Sequence, residues 1–254
     1  MAQSLSYCGQ LVKEQDPDRF LISMLMDSSC RESLWALFAF NHEIAKTREV
    51  VSETALGHIR LQWWRDAIAS VYEGGAVPEH EVMGPLSESI RQYDLPRKAF
   101  DDLIYAREFD LENIAPAHLE GLLIYADHTQ APLMKLAMQI CGDDIGAEPV
   151  QPVAINYALA GILRSVSFHK AQGRSFLPTD LVAANDVTDV VKLVIEEGVA
   201  EGSRSQSRFL SASDQLAQIY LKQIKGLKYD VLSPKMAVSP PFIALRMLAH
   251  ALLS

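Results

Sequence analysis

Phe20–Glu49 reads FLISMLMDSSCRESLWALFAFNHEIAKTRE, and its second half decides the fold class. Ser28-Ser29-Cys30-Arg31-Glu32 has the form of a helix start, in which a serine can cap free N–H groups and an acid follows within the first turn. From Arg31 to Val50, Leu34, Leu37, Phe38, Ile44 and Ala45 return near one face, which predicts one long helix. The same period runs outward in both directions. It predicts helices over 4–14, 20–25, 53–72, 84–93, 96–113, 117–140, 152–170, 179–184, 188–197, 199–226 and 240–253, with a bend near Pro132. Alternating β-branched runs are nearly absent, so the chain reads as all-α. No internal repeat, low-complexity linker or composition break divides it, and residues 1–254 read as a single domain of eleven or twelve helices.

The 254 residues carry 23 Lys and Arg against 32 Asp and Glu, and 23 − 32 gives a net charge of −9. A phosphate backbone repels such a chain unless its basic residues cluster, so nucleic acid is not an expected partner. Cys8, Cys30 and Cys141 stand far apart in sequence with no CxxC pair, which suits a reducing compartment. Each reads as a small buried hydrophobe or an inert surface thiol. The start, MAQSLSYCGQLVKEQD, lacks the pattern of a secretion signal or transit peptide, and reads as uncleaved or already mature. No stretch approaches the roughly 18 uninterrupted apolar residues of a membrane span, so membrane contact would be peripheral.

Four segments together resemble one family. Phe20–Glu49 resembles the helix of squalene and phytoene synthases that carries their first aspartate-rich motif, and LQWWRDAI at Leu61–Ile68 resembles the helix that follows it. YADHTQAPLMKLAMQICG at Tyr125–Gly142 is similar to their Tyr- and small-residue-rich helix. ALAGILRSVSFHKAQGRSFLPTDL at Ala158–Leu181 resembles their second aspartate-rich helix and the loop after it. The resemblance implies an isoprenoid-synthase helical bundle around a central cavity. It also implies, for working members, a prenyl diphosphate held through Mg²⁺ by DxxxD pairs, because carboxylates at i and i+4 project from one helix face and can share a metal cluster.

The residues at those positions depart from that chemistry. The first motif falls on Ala45–Glu49, where Lys46 takes the place of the neighbouring acid and Glu49 is the last carboxylate left. The second falls on Ser165–His169, with no acid at either end. Lys46, Arg48, Arg164, His169, Lys170 and Arg174 gather in and beside the two motifs of an otherwise acidic chain. If the helices face one another as the resemblance implies, an acidic metal cage has become a basic mouth. Two readings stay open: the basic residues bind an anionic lipid or prenyl diphosphate headgroup directly, or they form ordinary salt bridges and solvated faces. The candidate ligand-binding set is therefore Lys46, Arg48, Glu49, Arg164, Ser165, His169, Lys170 and Arg174, with no catalytic residue, metal site or cofactor expected.

The departures themselves are similar to those of the family's non-catalytic branch, which serves in assembly of respiratory complex I. That resemblance implies complex I subunits or assembly intermediates as partners, with a peripheral contact to membrane or lipid. It implies a place in the cytoplasm or on the inner face of the inner membrane, or in the mitochondrial matrix for a eukaryotic source. The alternative is a prenyltransferase that condenses isoprenoid diphosphates with Mg²⁺.

Other constellations lead to blander readings. His42, His58, His80, His118, His128, His169 and His250 form no HExxH or His-rich cluster. Ser165, Ser167 and His169 lack triad spacing, and Gly74-Gly75 and Gly142 precede no Lys-Ser or Lys-Thr pair. Asp101-Asp102 and Asp143-Asp144 read as helix-end acids. Of the adjacent tryptophans, Trp63 falls on the apparent apolar stripe of Leu56, Ile59, Ala67 and Val71 and is expected in the core, while Trp64 is expected in a core, a cavity or a partner surface. The apolar helix ending at Leu253 reads as a packed terminal helix or as one lying on lipid.

Overall fold

Helices begin where a side chain can satisfy the unpaired N–H groups of a first turn, and this chain supplies several such caps. Asp16 closes one helix and opens the next: its backbone N–H bonds to Val12, its carboxylate accepts from the Arg19 N–H, and Pro17 takes the position where no N–H is required. Ser6, Asp186 and Ser207 cap their helices in the same manner. The computed structural model describes residues 4–144, 146, 148–200 and 205–253, and among them the regular structure is helical with no strand.

Fourteen α-helices are present among the described residues: α1 Tyr7–Gln15, α2 Pro17–Met24, α3 Arg31–Ala45, α4 Thr47–Val50, α5 Thr54–Tyr72, α6 Met83–Tyr93, α7 Arg97–Glu112, α8 Leu119–Cys141, α9 Val150–Arg164, α10 Val166–Ala171, α11 Thr179–Ala184, α12 Val187–Gly198, α13 Arg208–Gly226 and α14 Ile243–Leu253. The count exceeds the sequence expectation because two long helices are each broken in two. The helix expected over 31–50 stops at Lys46, and the one expected over 152–170 stops at Ser165. Ser165 donates its hydroxyl to the Gly161 carbonyl at 2.9 Å, and Thr47 Oγ1 lies 3.5 Å from the Glu43 carbonyl, so at both breaks a hydroxyl competes for the carbonyl four residues back. The helix expected from Val199 starts only at Arg208, where the Glu148 carboxylate accepts from the Gln206 and Ser207 N–H groups and Ser207 caps the first turn. Part of that expectation, residues 201–204, lies outside the described residues.

The chain divides into two compact units, Met1–Glu112 with Pro132–Ala147, and Asn113–Ala131 with Glu148–Ser254. In the first, α3 is the central element. Its residues from Ser33 to Asn41 are all buried, and α1, α2, α6 and α7 pack against it. Phe40 meets Trp64 and Phe100 edge-on, with ring centroids 5.5 and 5.4 Å apart. Trp35 donates its indole N–H to Ser23 at 2.7 Å and lies over Gly9, where an added Cβ would come within 2.8 Å of the ring. Gly9 is thus what lets α1 approach α3.

In the second unit α9 and α13 form the main pair, with α12 against α9 and α14 against α13. Asn156, fully buried on α9, donates to the Ala200 carbonyl and accepts from its N–H, both at 3.0 Å, which ties down the chain after α12. Gly198 sits against Leu119, Leu123 and Leu159, leaving little room for a larger residue.

The expectation for Trp63 is overturned, and of the places open to Trp64 it takes the core. Trp64 is 1% exposed and Trp63 39% exposed, while Leu56 and Ile59 also face out. The buried stripe of α5 runs through Gly57, Leu61, Trp64, Ala67, Ile68 and Val71, one residue out of step with the reading that began at Leu56. W64A is expected to cost about 3–5 kcal/mol and W63A less than about 1 kcal/mol, read from urea unfolding midpoints. Equal losses from the two variants would contradict the assignment.

Candidate functional site

In the first unit the altered motif surrounds a buried acid. Glu43 is 4% exposed, and its two carboxylate oxygens accept from Lys46 Nζ at 2.6 Å and from an Arg60 guanidinium nitrogen at 2.7 Å. A carboxylate taken out of water needs such partners. Here α3 supplies the acid, the turn after it supplies Lys46, and α5 supplies Arg60. Arg48 lies half-buried on α4, with its Nε buried and without a hydrogen-bond partner among the described residues. Glu49, the surviving motif carboxylate, is exposed. Burial and the Lys46 cation hold His42 below its ordinary pKa of 6.5.

In the second unit the other altered motif borders a cavity of about 280 Å³. Ile162, Val166, Phe176, Leu177, Val182 and Val187 contribute apolar lining, and His169, Lys170 and Arg174 contribute the nitrogen donors. Arg174 is held by backbone and side chain alike: its N–H donates to the His169 carbonyl at 2.9 Å and its guanidinium donates to the Gln172 side chain. Gly173, at φ +70, provides the left-handed turn that brings the chain back after α10. The His169 ring meets Phe176 edge-on at 4.8 Å, and Phe176 stacks on Tyr125 at 5.3 Å. His169 Nδ1 is buried with no hydrogen-bond partner among the described residues.

The structure brings His169, Lys170 and Arg174 together. Arg164 points elsewhere within this unit, its guanidinium 3.4 Å from the centre of the Tyr220 ring. Ser165 spends its hydroxyl on the Gly161 carbonyl. Lys46, Arg48 and Glu49 belong to the first unit, where Lys46 pairs with Glu43. Sequence reasoning missed the partners that define both sites. Lys46 at i+3 from Glu43 could have signalled that pair, whereas Arg60, Tyr220 and Tyr125 are distant in sequence and carry no local signal.

Magnesium held in the manner of working synthases needs paired hard carboxylates. The donor set here does not fit it. Ala45 and Ser165 stand at motif positions, the oxygens of Glu43 are engaged by two cations, and among the described residues no three His, Cys, Asp or Glu side chains stand close enough to share a metal. The groups that are present suit an anion: positively charged donors beside an apolar wall.

Comparison with known proteins agrees with the fold. The squalene/phytoene synthase family model matches residues 12–249, and the chain belongs to that family. It is similar to NADH dehydrogenase (ubiquinone) complex I, assembly factor 6 from Bos taurus, 29% identical over 184 residues that cover 72% of this chain and 55% of the relative. It is also similar to phytoene synthase 1, chloroplastic from Arabidopsis thaliana, 22% identical over 200 residues that cover 74% of this chain and 46% of the relative. The chain thus spans about half the length of these two relatives. A crystal structure of a dehydrosqualene synthase in complex with ligand superimposes with a TM-score of 0.74 at 16% identity, covering 97% of this chain and 94% of that one, which establishes the fold.

The environment of His169 yields a titration test. Burial first and the Arg174 cation second disfavour its charged form and lower its pKa below 6.5. The folded protein therefore resists a proton that the unfolded chain accepts. The associated stability is present above pH 6.5 and is lost as pH falls through the lowered value. A ring NMR titration should give a midpoint below 6.5. In Arg174→Gln the midpoint should move up yet stay below 6.5, because burial remains; an unmoved midpoint would remove Arg174 from the account.

Proposed function

We propose that this chain acts in the assembly of respiratory complex I, using a squalene/phytoene synthase fold without magnesium-dependent condensation. The observation that carries the reading is the change of sign at both motif positions: Ala45, Lys46 and Arg48 in one, Ser165, His169, Lys170 and Arg174 in and after the other, with the nearby Glu43 neutralised by Lys46 and Arg60. A cationic, acid-poor site cannot gather divalent metal around a diphosphate in the way an aspartate cage does. The similarity to assembly factor 6 over 72% of the chain supports the same direction. Partners are complex I subunits or assembly intermediates, met in the mitochondrial matrix or on the cytoplasmic side of a bacterial inner membrane.

The cavity lined by His169, Lys170 and Arg174 is proposed to hold the anionic headgroup of a lipid or prenyl diphosphate through direct charge-assisted hydrogen bonds, with the apolar wall taking the start of the chain. No helix among the described residues is long and apolar enough to cross a membrane. Contact with lipid is assigned to α14 and the turn before it. Phe242, Leu245, Leu248, Leu252 and Leu253 are exposed there, and Lys222, Lys235 and Arg246 border the groove beside them.

Flotation with vesicles of anionic phospholipid should be unchanged by EDTA, weakened several-fold by Arg174→Glu, and weakened again by truncation after Pro241. Loss of binding in EDTA would overturn metal-free recognition, and flotation indifferent to both alterations would remove the cavity and α14 from membrane contact. Deletion of the gene should lower assembled NADH dehydrogenase and its activity while leaving membrane isoprenoids unchanged. The prenyltransferase reading, favoured by the phytoene synthase similarity, predicts the reverse together with turnover of farnesyl or geranylgeranyl diphosphate in Mg²⁺.

A further inference from the structure

The cysteines that stand far apart in sequence are not all isolated in the fold. Cys30, at the N-cap of α3, and Cys141, the last residue of α8, bring their sulfurs to 4.0 Å within the first unit although 111 positions separate them. Cys30 is buried as the sequence reading allowed, but it does not stand alone. One sulfur donates its proton to the other, and Cys30 is also 3.2 Å from the Asp27 carbonyl. As residues, Cys30 is buried and Cys141 half-buried. Gly142 follows at φ +79 and ends the helix, which leaves Cys141 at an element terminus and not in a rigid interior.

We propose that Cys30 and Cys141 form a reversible dithiol–disulfide site that reacts with low-molecular-weight disulfides and, when oxidised, ties the start of α3 to the end of α8. The chemistry needs an anionic sulfur close to a second thiol. The hydrogen bond from Cys141 is the largest influence lowering the Cys30 pKa, to about 7, and the same bond with burial pushes Cys141 up. The pair thus loses its first proton near neutral pH and shares the second. With the pair's remaining proton on one sulfur, the other attacks as thiolate on one sulfur of the small disulfide, whose S–S bond breaks and releases a thiolate. The protonated protein sulfur gives its proton to that thiolate and attacks its neighbour in the mixed disulfide, releasing the second small thiolate. The two protein sulfurs lose two electrons and the small disulfide gains them. Bond formation requires the sulfurs to close from 4.0 Å to about 2.05 Å.

Cys8 provides an internal control. It is 1% exposed, its nearest polar contact is the Glu81 carbonyl at 3.9 Å, and burial pushes its thiol up to about 11.

The test is incubation of the folded full chain with glutathione disulfide, followed by thiol titration and non-reducing peptide mapping. The expected result is loss of two of the three thiols, a Cys30–Cys141 linked peptide, an intact Cys8 thiol and full recovery with dithiothreitol. Cys30→Ser should instead leave one glutathione on Cys141. Should that variant fold poorly, Cys141→Ser at the half-buried position should abolish the link while circular dichroism stays unchanged. Three thiols retained in the wild type, or a stable glutathione adduct on Cys141 with no intrachain link, would overturn the proposal.

Discussion

Inside the buried α3, Lys46 and Arg60 meet the two oxygens of the Glu43 carboxylate. α3 is buried along most of its length, and an unpaired carboxylate there would carry a desolvation cost of several kcal/mol, a large share of a domain's stability. The two cations come from the break after α3 and from α5, so the interaction links these elements through one buried acid. It also sets the chemistry at the first motif. An acid whose oxygens are already engaged by two cations is not free to join a magnesium cage, and the positions around it carry Ala45, Lys46 and Arg48.

The second unit reaches a similar chemical result by other means. The break at Ser165 and the left-handed Gly173 turn the chain so that His169, Lys170 and Arg174 border one apolar cavity. The cationic groups there stand among Phe176, Leu177 and Val182, where a lower local dielectric strengthens attraction for an anion. Burial first, and the Arg174 cation second, disfavour the charged form of His169. Arg164, adjacent in sequence, is instead held against Tyr220, which shows how local clustering of basic residues overstates what a site contains.

Helix positions were legible because apolar spacing and caps are local signals. The limits at Tyr72, Tyr93 and Ala184 coincide with those read from sequence, and the helices between Thr54 and Cys141 agree to within about two residues at each end. The breaks at Lys46 and Ser165 were not legible, since a serine or threonine hydroxyl bonds the carbonyl four residues back only when the surroundings permit it. The α5 stripe was misread for a related reason. Its apolar residues occupy more than one face, and the choice between Trp63 and Trp64 depends on Phe40, more than twenty positions away.

The sequence by itself determined the helical class and the family, because each follows from residue type at a fixed spacing. Tertiary structure alone decided which charges act together: Glu43 with Arg60, His169 with Arg174 across a turn, Arg164 with Tyr220, and Cys30 with Cys141 across 111 positions. The physical reason is range. Helix formation is governed by contacts three and four residues apart, whereas proton affinity, charge pairing and thiol reactivity depend on whatever the fold brings within about 4 Å.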